Sequence, residues 1–187
     1  YRKYATMGAN GYQGFRTPSK KVEIYVERYL ENGYQPLPEY VAPQPTSKKN
    51  GQHSEIYPLI LTSSKSPHYL HSQLRNIATL RSKHPDPRIE IHPQTAAIRE
   101  IIENEWVTVS TPHGQMRARA KFSPKLHPSV VSATHGWWQA CENLSVPGYE
   151  TVGETSSNLN SMISGDTTDP IGGAIPLKSY ICEIERI

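Results

Sequence analysis

Apolar and polar positions along this chain are grouped in short, strand-sized runs. Leu59-Ile60-Leu61-Thr62 is a continuous run of the length a buried strand takes, and Arg88-Ile89-Glu90-Ile91-His92 alternates with a period of two. Val130-Val131-Ser132-Ala133 and Tyr180–Ile184 predict two further strands. Trp106-Val107-Thr108-Val109 and Met116–Phe122 flank Pro112-His113-Gly114, which predicts a hairpin. Ser63-Ser64-Lys65-Ser66-Pro67 reads as a turn, followed by a short helix around Leu70–Leu80. Pro93-Gln94-Thr95 opens another helix, whose Ala97, Ile98, Ile101 and Ile102 fall on one face. The pattern predicts a mixed, strand-rich domain, mainly β with two to three short helices, consistent with a small barrel.

Residues 1–50 have a different texture. Gly8, Gly11 and Gly14, then Thr17-Pro18-Ser19, a strand at Val22–Val26 and a Pro-rich stretch from Pro36 to Pro45 leave too few periodic apolar positions for a separate core. This segment is expected to be an arm that packs on something else. Pro45-Thr46-Ser47-Lys48-Lys49-Asn50-Gly51 is polar and rich in turn formers, so the boundary is expected there, with an arm at 1–50 and a domain at 51–187. The chain opens at Tyr1, with neither an initiating Met nor a signal-peptide pattern, and is expected to be a piece of a longer polypeptide.

Composition narrows the function classes. The chain has 187 residues, enough for one domain that needs no disulfide or metal to fold. Its 16 prolines each remove a donor and restrict the preceding residue, which excludes a helical bundle. No apolar run approaches the 18 or so residues of a membrane span, so no direct membrane insertion is expected. Twenty Lys+Arg against 17 Asp+Glu give a net charge of +3, spread along the chain. That suits an anionic ligand and argues against nucleic acid, which calls for a clustered basic face. Cys141 and Cys182 stand alone and read as packing residues.

Four clusters carry candidate chemistry. Thr62-Ser63-Ser64-Lys65-Ser66 leaves a buried strand toward a helix and combines backbone N–H groups, hydroxyls and an ammonium, a set suited to phosphate; the plainer reading is a strand–helix turn. His68-Tyr69-Leu70-His71-Ser72-Gln73 places two histidines three apart. Zinc would need a further ligand that nothing fixes nearby, and a neutral imidazole beside Ser72 better suits hydrogen bonding to a planar ligand or a phosphate. In Thr134-His135-Gly136-Trp137-Trp138, the paired Trp serve either as packing or as a stacking wall for a heterocycle. Asn158-Leu159-Asn160-Ser161, Asp169-Pro170-Ile171-Gly172-Gly173 and Lys178 read as surface loop, or as amide edges and a cation closing over a fused-ring ligand. No nucleophile, base or metal-ligand set completes itself, so no catalytic residue and no metal ligand is assigned. The residues alone describe a binding domain for an anionic heterocycle.

Taken in order, these segments resemble the C-terminal molybdopterin-dinucleotide-binding domain of the molybdopterin oxidoreductase family, whose members include dimethyl sulfoxide reductase, nitrate reductases and formate dehydrogenases. The resemblance rests on Leu61-Thr62-Ser63-Ser64-Lys65 leading to His71-Ser72, on Ile89–Ala96, on Glu105–Ala120 with its Thr111-Pro112-His113-Gly114, on His127–Val131 with His135-Gly136-Trp137-Trp138, and on Asn160, Asp169–Gly173 and Lys178. Gly14–Glu23 and Gly33–Tyr40 of the arm are similar to a motif of the long enzymes in the same family.

The resemblance implies a six-stranded double-psi β-barrel that holds molybdopterin guanine dinucleotide, in the bis form with molybdenum or tungsten, within a larger oxidoreductase. It implies that Ser63, Ser64, Lys65, Ser66, His71 and Ser72 contact pterin or pyrophosphate, while Asn160 and Lys178 close over the cofactor. Iron–sulfur clusters would lie only in other domains or subunits. The implied partners are the remaining domains of the parent enzyme and an iron–sulfur electron-transfer subunit, and the isolated chain is not expected to be active. Ser64-Lys65 stands where Gly-Arg is usual in the family, which replaces a forked guanidinium with a point charge. Two rivals remain open: a stand-alone pterin-binding subunit, and a barrel that recognises a peptide or protein without cofactor.

Overall fold

The computed structural model describes residues 14–40, 55–165, 168–175, 177–178 and 180–187. The chain divides into two compact units, Tyr1–Val41 and Ala42–Ile187. The expected boundary at Pro45–Gly51, like Gly8, Gly11 and Pro43–Pro45, lies outside the described residues.

In the first unit the strand expected at Val22–Val26 does not form; irregular backbone leads instead into a five-residue helix, α1 (Glu27–Glu31), that buries none of its residues. Val22 and Ile24 are 66% and 76% exposed. A β-propensity run with no neighbouring strand has no ladder to join, and β-propensity without pairing carries little weight.

The second unit is a closed barrel of six strands: β1 (Leu59–Ser64), β2 (Arg88–Ile91), β3 (Trp106–Thr111), β4 (Gly114–Phe122), β5 (Val130–Thr134) and β6 (Tyr180–Arg186). Its order is β1-β5-β2-β4-β3-β6. This is the expected six-stranded barrel, and the six strands expected within this unit are all present. β1 pairs parallel with β5, and β2 parallel with β4; the four remaining pairings are antiparallel. Inward positions alternate along each strand, so Leu61, Ile89, Ile91, Val107, Val109, Met116, Val131 and Ile184 are almost fully buried in one core. Truncating one of them to alanine would cost about 2–5 kcal/mol, since the cavity left behind relaxes only in part. Closure leaves no sheet edge to cover.

Two helix expectations need correction. Only Ala78–Arg81 (α2) of Leu70–Leu80 is helical. His71 and Leu74 have positive φ values of 51° and 74°, which a right-handed helix cannot include. The other helix forms as α3 (Pro93–Ile98), with the His92 ring accepting a hydrogen bond from the Gln94 amide, but it buries Thr95 and Ala96. Ile98 and Ile102 are 79% and 62% exposed, and only Ile101 of the expected face is buried. The helix ends after six residues and Glu100 turns with φ 54°, so the assumed helical face does not persist to Ile102.

Register decides where chemistry can gather. Leu61 faces Tyr180 across β1 and β6, Ile89 faces Ala133 across β2 and β5, and Thr111 faces Gly114 across the hairpin. The C-terminal ends of β1, β3 and β5 and the N-terminal ends of β2, β4 and β6 therefore share one end of the barrel. The loops 65–87, 112–113 and 135–179 all leave from that end.

Candidate functional site

All eight residues singled out in the sequence belong to the end where these loops emerge. Ser63 and Ser64 close β1, paired with Ala133 and Thr134 of β5. Continuing the β1–β6 register beyond Leu61–Tyr180 brings Lys178 opposite Ser63, and the Lys178 ammonium donates to the Ser63 carbonyl. Ser66 Oγ lies 3.0 Å from His84 Nδ1 and accepts a hydrogen bond from the His68 amide at 3.3 Å.

Beyond β1 a small, open-mouthed cavity of about 70 Å³ is lined by Lys65, Ser66, Tyr69, Leu70, His71, Arg75 and His135. Among the described residues the lining has two cations, two imidazoles, a phenol and a hydroxyl, and no carboxylate. His71 and His135 face each other with ring centroids 6.0 Å apart. Ser72 sits behind them against Gly136. Gly136 has φ +81°, and a Cβ there would come within 2.7 Å of Ser72 Cα and 3.1 Å of the His71 carbonyl. Only glycine suits both the conformation and the approach.

Asn160 is set apart from this group. It lies exposed on the 3₁₀ turn Leu159–Met162, which docks on the β3–β4 hairpin through the Thr111 hydroxyl, donating to the Met162 carbonyl at 2.8 Å. It shares the barrel end with the other candidates but does not line the cavity.

Electrostatics separate the histidines. His84 is pushed down to about 3 by burial, with Arg88, His68 and Arg75 adding in the same direction. His135 is lowered by burial, then by Arg75 and His71, with the Ser64 backbone acting the other way and Lys178 adding to the lowering. The Ser66–His84 pair is therefore no nucleophile–base dyad: an imidazole held this acidic is a poor base at neutral pH. Among the described residues, no three His, Cys, Asp or Glu side chains converge as a metal-ligand set.

The sequence reading missed Arg75 and named Tyr69 and His135 only within motifs. Arg75 is 1% exposed, and its guanidinium lies over both the Tyr69 and Trp137 rings, 4.5 and 4.6 Å from their centroids, at the corner where the two rings meet edge to face. Trp137, fully buried, donates from Nε1 to Thr134 Oγ1 at 2.8 Å and is packing; Trp138 is 36% exposed. Nothing in hydrophobic periodicity marks an arginine for burial, and the aromatic pair that encloses it comes from two distant loops.

The donor set has a chemical consequence. Among the described residues Lys65, Lys178, the β1 hydroxyls and the buried cation offer positive charge and hydrogen-bond donors without a competing acid in the lining, and Arg75 Nε has no hydrogen-bond partner. Such a site fits a phosphate-bearing ligand. Comparison with known proteins agrees: residues 59–181 match the family model described as the molydopterin dinucleotide binding domain.

The chain belongs to this family. Its cofactor is molybdopterin guanine dinucleotide. The chain is 30% identical over 178 residues to a dopamine dehydroxylase of Eggerthella lenta, covering 92% of this chain and 17% of that protein. It is 32% identical over 178 residues to an acetylene hydratase of Syntrophotalea acetylenica, covering 90% of this chain and 24% of that protein. The solved acetylene hydratase of Pelobacter acetylenicus superposes with a TM-score of 0.77 at 27% identity, covering 97% of this chain and 25% of that one. The chain thus spans about a sixth to a quarter of these three proteins, and the molybdopterin dinucleotide-binding domain is its matched part.

Proposed function

We propose that this chain is the cofactor-holding domain of a longer molybdenum or tungsten oxidoreductase, and that the β1 end of the barrel holds the anionic part of the dinucleotide. The observation that carries this reading is the cavity lining: Lys65, Arg75 and two imidazoles with no carboxylate, beside the Lys178 ammonium bonded to the Ser63 carbonyl. Ser63, Ser64 and Ser66 offer hydroxyl and backbone donors to phosphate oxygens. His71 and Ser72 meet the pterin or pyrophosphate, and Lys65 and Lys178 supply the charge that pyrophosphate needs. Asn160 presents an amide edge to a fused ring from the neighbouring turn.

When bound, the cofactor supplies the redox or hydration chemistry. The chain's own part is to bind, orient and keep the cofactor in place. An arm at 1–50 and a barrel domain at 51–187 complete the proposal, with the parent enzyme's other domains, and an iron–sulfur subunit where one exists, as partners.

The test uses the native polypeptide that carries this chain, purified from its source organism and as Lys65→Ala and Lys178→Ala variants. Metal is measured by mass spectrometry, and pterin by fluorescence after oxidative release. The expected result is a several-fold loss of both in each variant. Full occupancy in both variants would remove the proposed site, and a native product without metal or pterin would remove the oxidoreductase reading.

A further inference from the structure

We propose that Arg75 is the positioning residue of this site, fixing His71 and His135 through their own carbonyls while placing a permanent positive charge in the cavity wall. The inference rests on the anion-binding reading above and deepens it.

The geometry is specific. Arg75 Nη1 donates to the His71 carbonyl at 2.7 Å, and Nη2 donates to the His135 carbonyl at 2.5 Å. One planar fork therefore joins the loop after β1 to the loop after β5, at the two residues whose rings face each other across the cavity. His71 is held at φ +51°, a conformation that a non-glycine residue keeps only where its surroundings enforce it. The fork and the close approach of Gly136 enforce it. The Arg75 amide is itself held by Gln139 Oε1 at 3.2 Å, and the guanidinium rests over the Tyr69 and Trp137 rings where they meet edge to face.

The charge is equally unusual. A buried cation normally sits beside a carboxylate. No ion pair involves Arg75 among the described residues; its neighbours are carbonyls, aromatic faces and a second buried arginine, Arg81, which donates to the Pro85 and Gln139 carbonyls. Among the described residues Arg75 Nε has no hydrogen-bond partner. A tie between two loops could be made by a neutral side chain at lower desolvation cost. A cation retained without its acid, in the wall of a carboxylate-free cavity, is suited to an anion that arrives from outside. Burial brings its pKa down to about 10, so the charge persists at neutral pH.

Two variants separate geometry from charge. Arg75→Lys keeps the charge and loses the fork; Arg75→Gln loses the charge. The groups that face the His135 ring are Arg75, His71, Lys178 and the Ser64 backbone, so removing the Arg75 charge should raise the His135 pKa.

The experiment uses the full chain, with the His135 titration followed by NMR and inorganic pyrophosphate as the probe. Arg75→Gln is expected to raise the His135 pKa and weaken pyrophosphate by about tenfold or more, as a unit charge in a partly screened site requires. Arg75→Lys is expected to leave the His135 titration in place, shift the His71 resonances and weaken pyrophosphate less. A folded Arg75→Gln protein with unchanged His135 titration and pyrophosphate affinity overturns the proposal. Should either variant fail to fold, the wild-type Arg75 Nε–H resonance decides: it is expected to shift with pyrophosphate in step with His135, and no shift at saturation overturns the proposal. A wild-type chain that does not bind pyrophosphate removes the anion-site reading instead, and the ligand-free His135 titration still judges whether Arg75 positions the pair.

Discussion

His84 shows how one buried side chain ties the site to stability. Its ring lies against Trp137 at 4.9 Å between centroids, with the Ser66 hydroxyl at 3.0 Å and three cationic or imidazole groups adding to the effect of burial. In the folded chain it ionises near 3, against an ordinary value of 6.5. Above pH 6.5 both folded and unfolded chains carry a neutral imidazole and the group has no pH effect. Between 6.5 and 3 the unfolded chain takes up a proton that the folded one refuses, so stability falls as pH falls through that window. Denaturant midpoints are expected to decline from pH 6.5 toward 5.5, before most carboxylates titrate, and His84→Gln is expected to flatten the decline. An equal slope in the variant would show that His84 is not the group held neutral. A histidine in a sequence carries no sign of this burial: the pattern exposed His71 as a candidate by its neighbours Ser72 and Gln73, whereas the neighbours of His84, Lys83, Pro85 and Asp86, give no hint of it.

At the scale of elements, strands were legible and the helix after β1 was not, for a physical reason. Strand runs such as Trp106–Thr111 bury alternate residues in one core, so local pattern and tertiary structure agree. Leu70–Leu80 has helix-favouring composition, but the hydrogen bonds that would make the helix are taken elsewhere. The His71 carbonyl, which a helix would give to the Arg75 amide, accepts from the Arg75 side chain, and that amide donates to Gln139. Propensity loses to tertiary contact there. The hairpin offers a test of how Asn160 is carried. A Cβ on Gly114 would come within 2.4 Å of the Ser161 carbonyl, backbone that cannot yield as a side-chain tip can. Gly114→Ala is expected to cost about 1–3 kcal/mol, and to lift the Leu159–Met162 turn while the barrel core stays closed. Hydrogen exchange should quicken at residues 159–163 and remain slow along β1 and β5. Unchanged exchange at the turn would show that the glycine does not set its docking.

Over the whole molecule, the order β1-β5-β2-β4-β3-β6 joins strands far apart in sequence, and no periodicity encodes such pairings. The barrel was legible through the ordered motifs, and register then puts Ser63, Ser64, Lys65, His71, Asn160 and Lys178 at one end. At the other end, the loop after α3 carries Glu103 and Glu105, paired with Lys121 at 2.9 Å and Arg186 at 3.4 Å. A net charge of only +3 therefore conceals a local excess of cations where the cavity opens. Lys65 and Lys178 are exposed, and exposed charges are screened by salt; Arg75 is buried, and its contribution is screened far less. Pyrophosphate affinity is accordingly expected to fall as salt rises from about 0.02 to about 0.5 M, a range over which the screening length drops from about 20 to about 4 Å. The Lys65→Ala, Lys178→Ala double variant should bind more weakly at low salt yet lose little more as salt is added, because the charge that remains is the buried one. Calorimetric titration across the range reads both slopes. A double variant as salt-sensitive as the parent would place the screened cations elsewhere on the surface, whereas a flat residual affinity assigns the screened part to the two lysines and the unscreened part to Arg75.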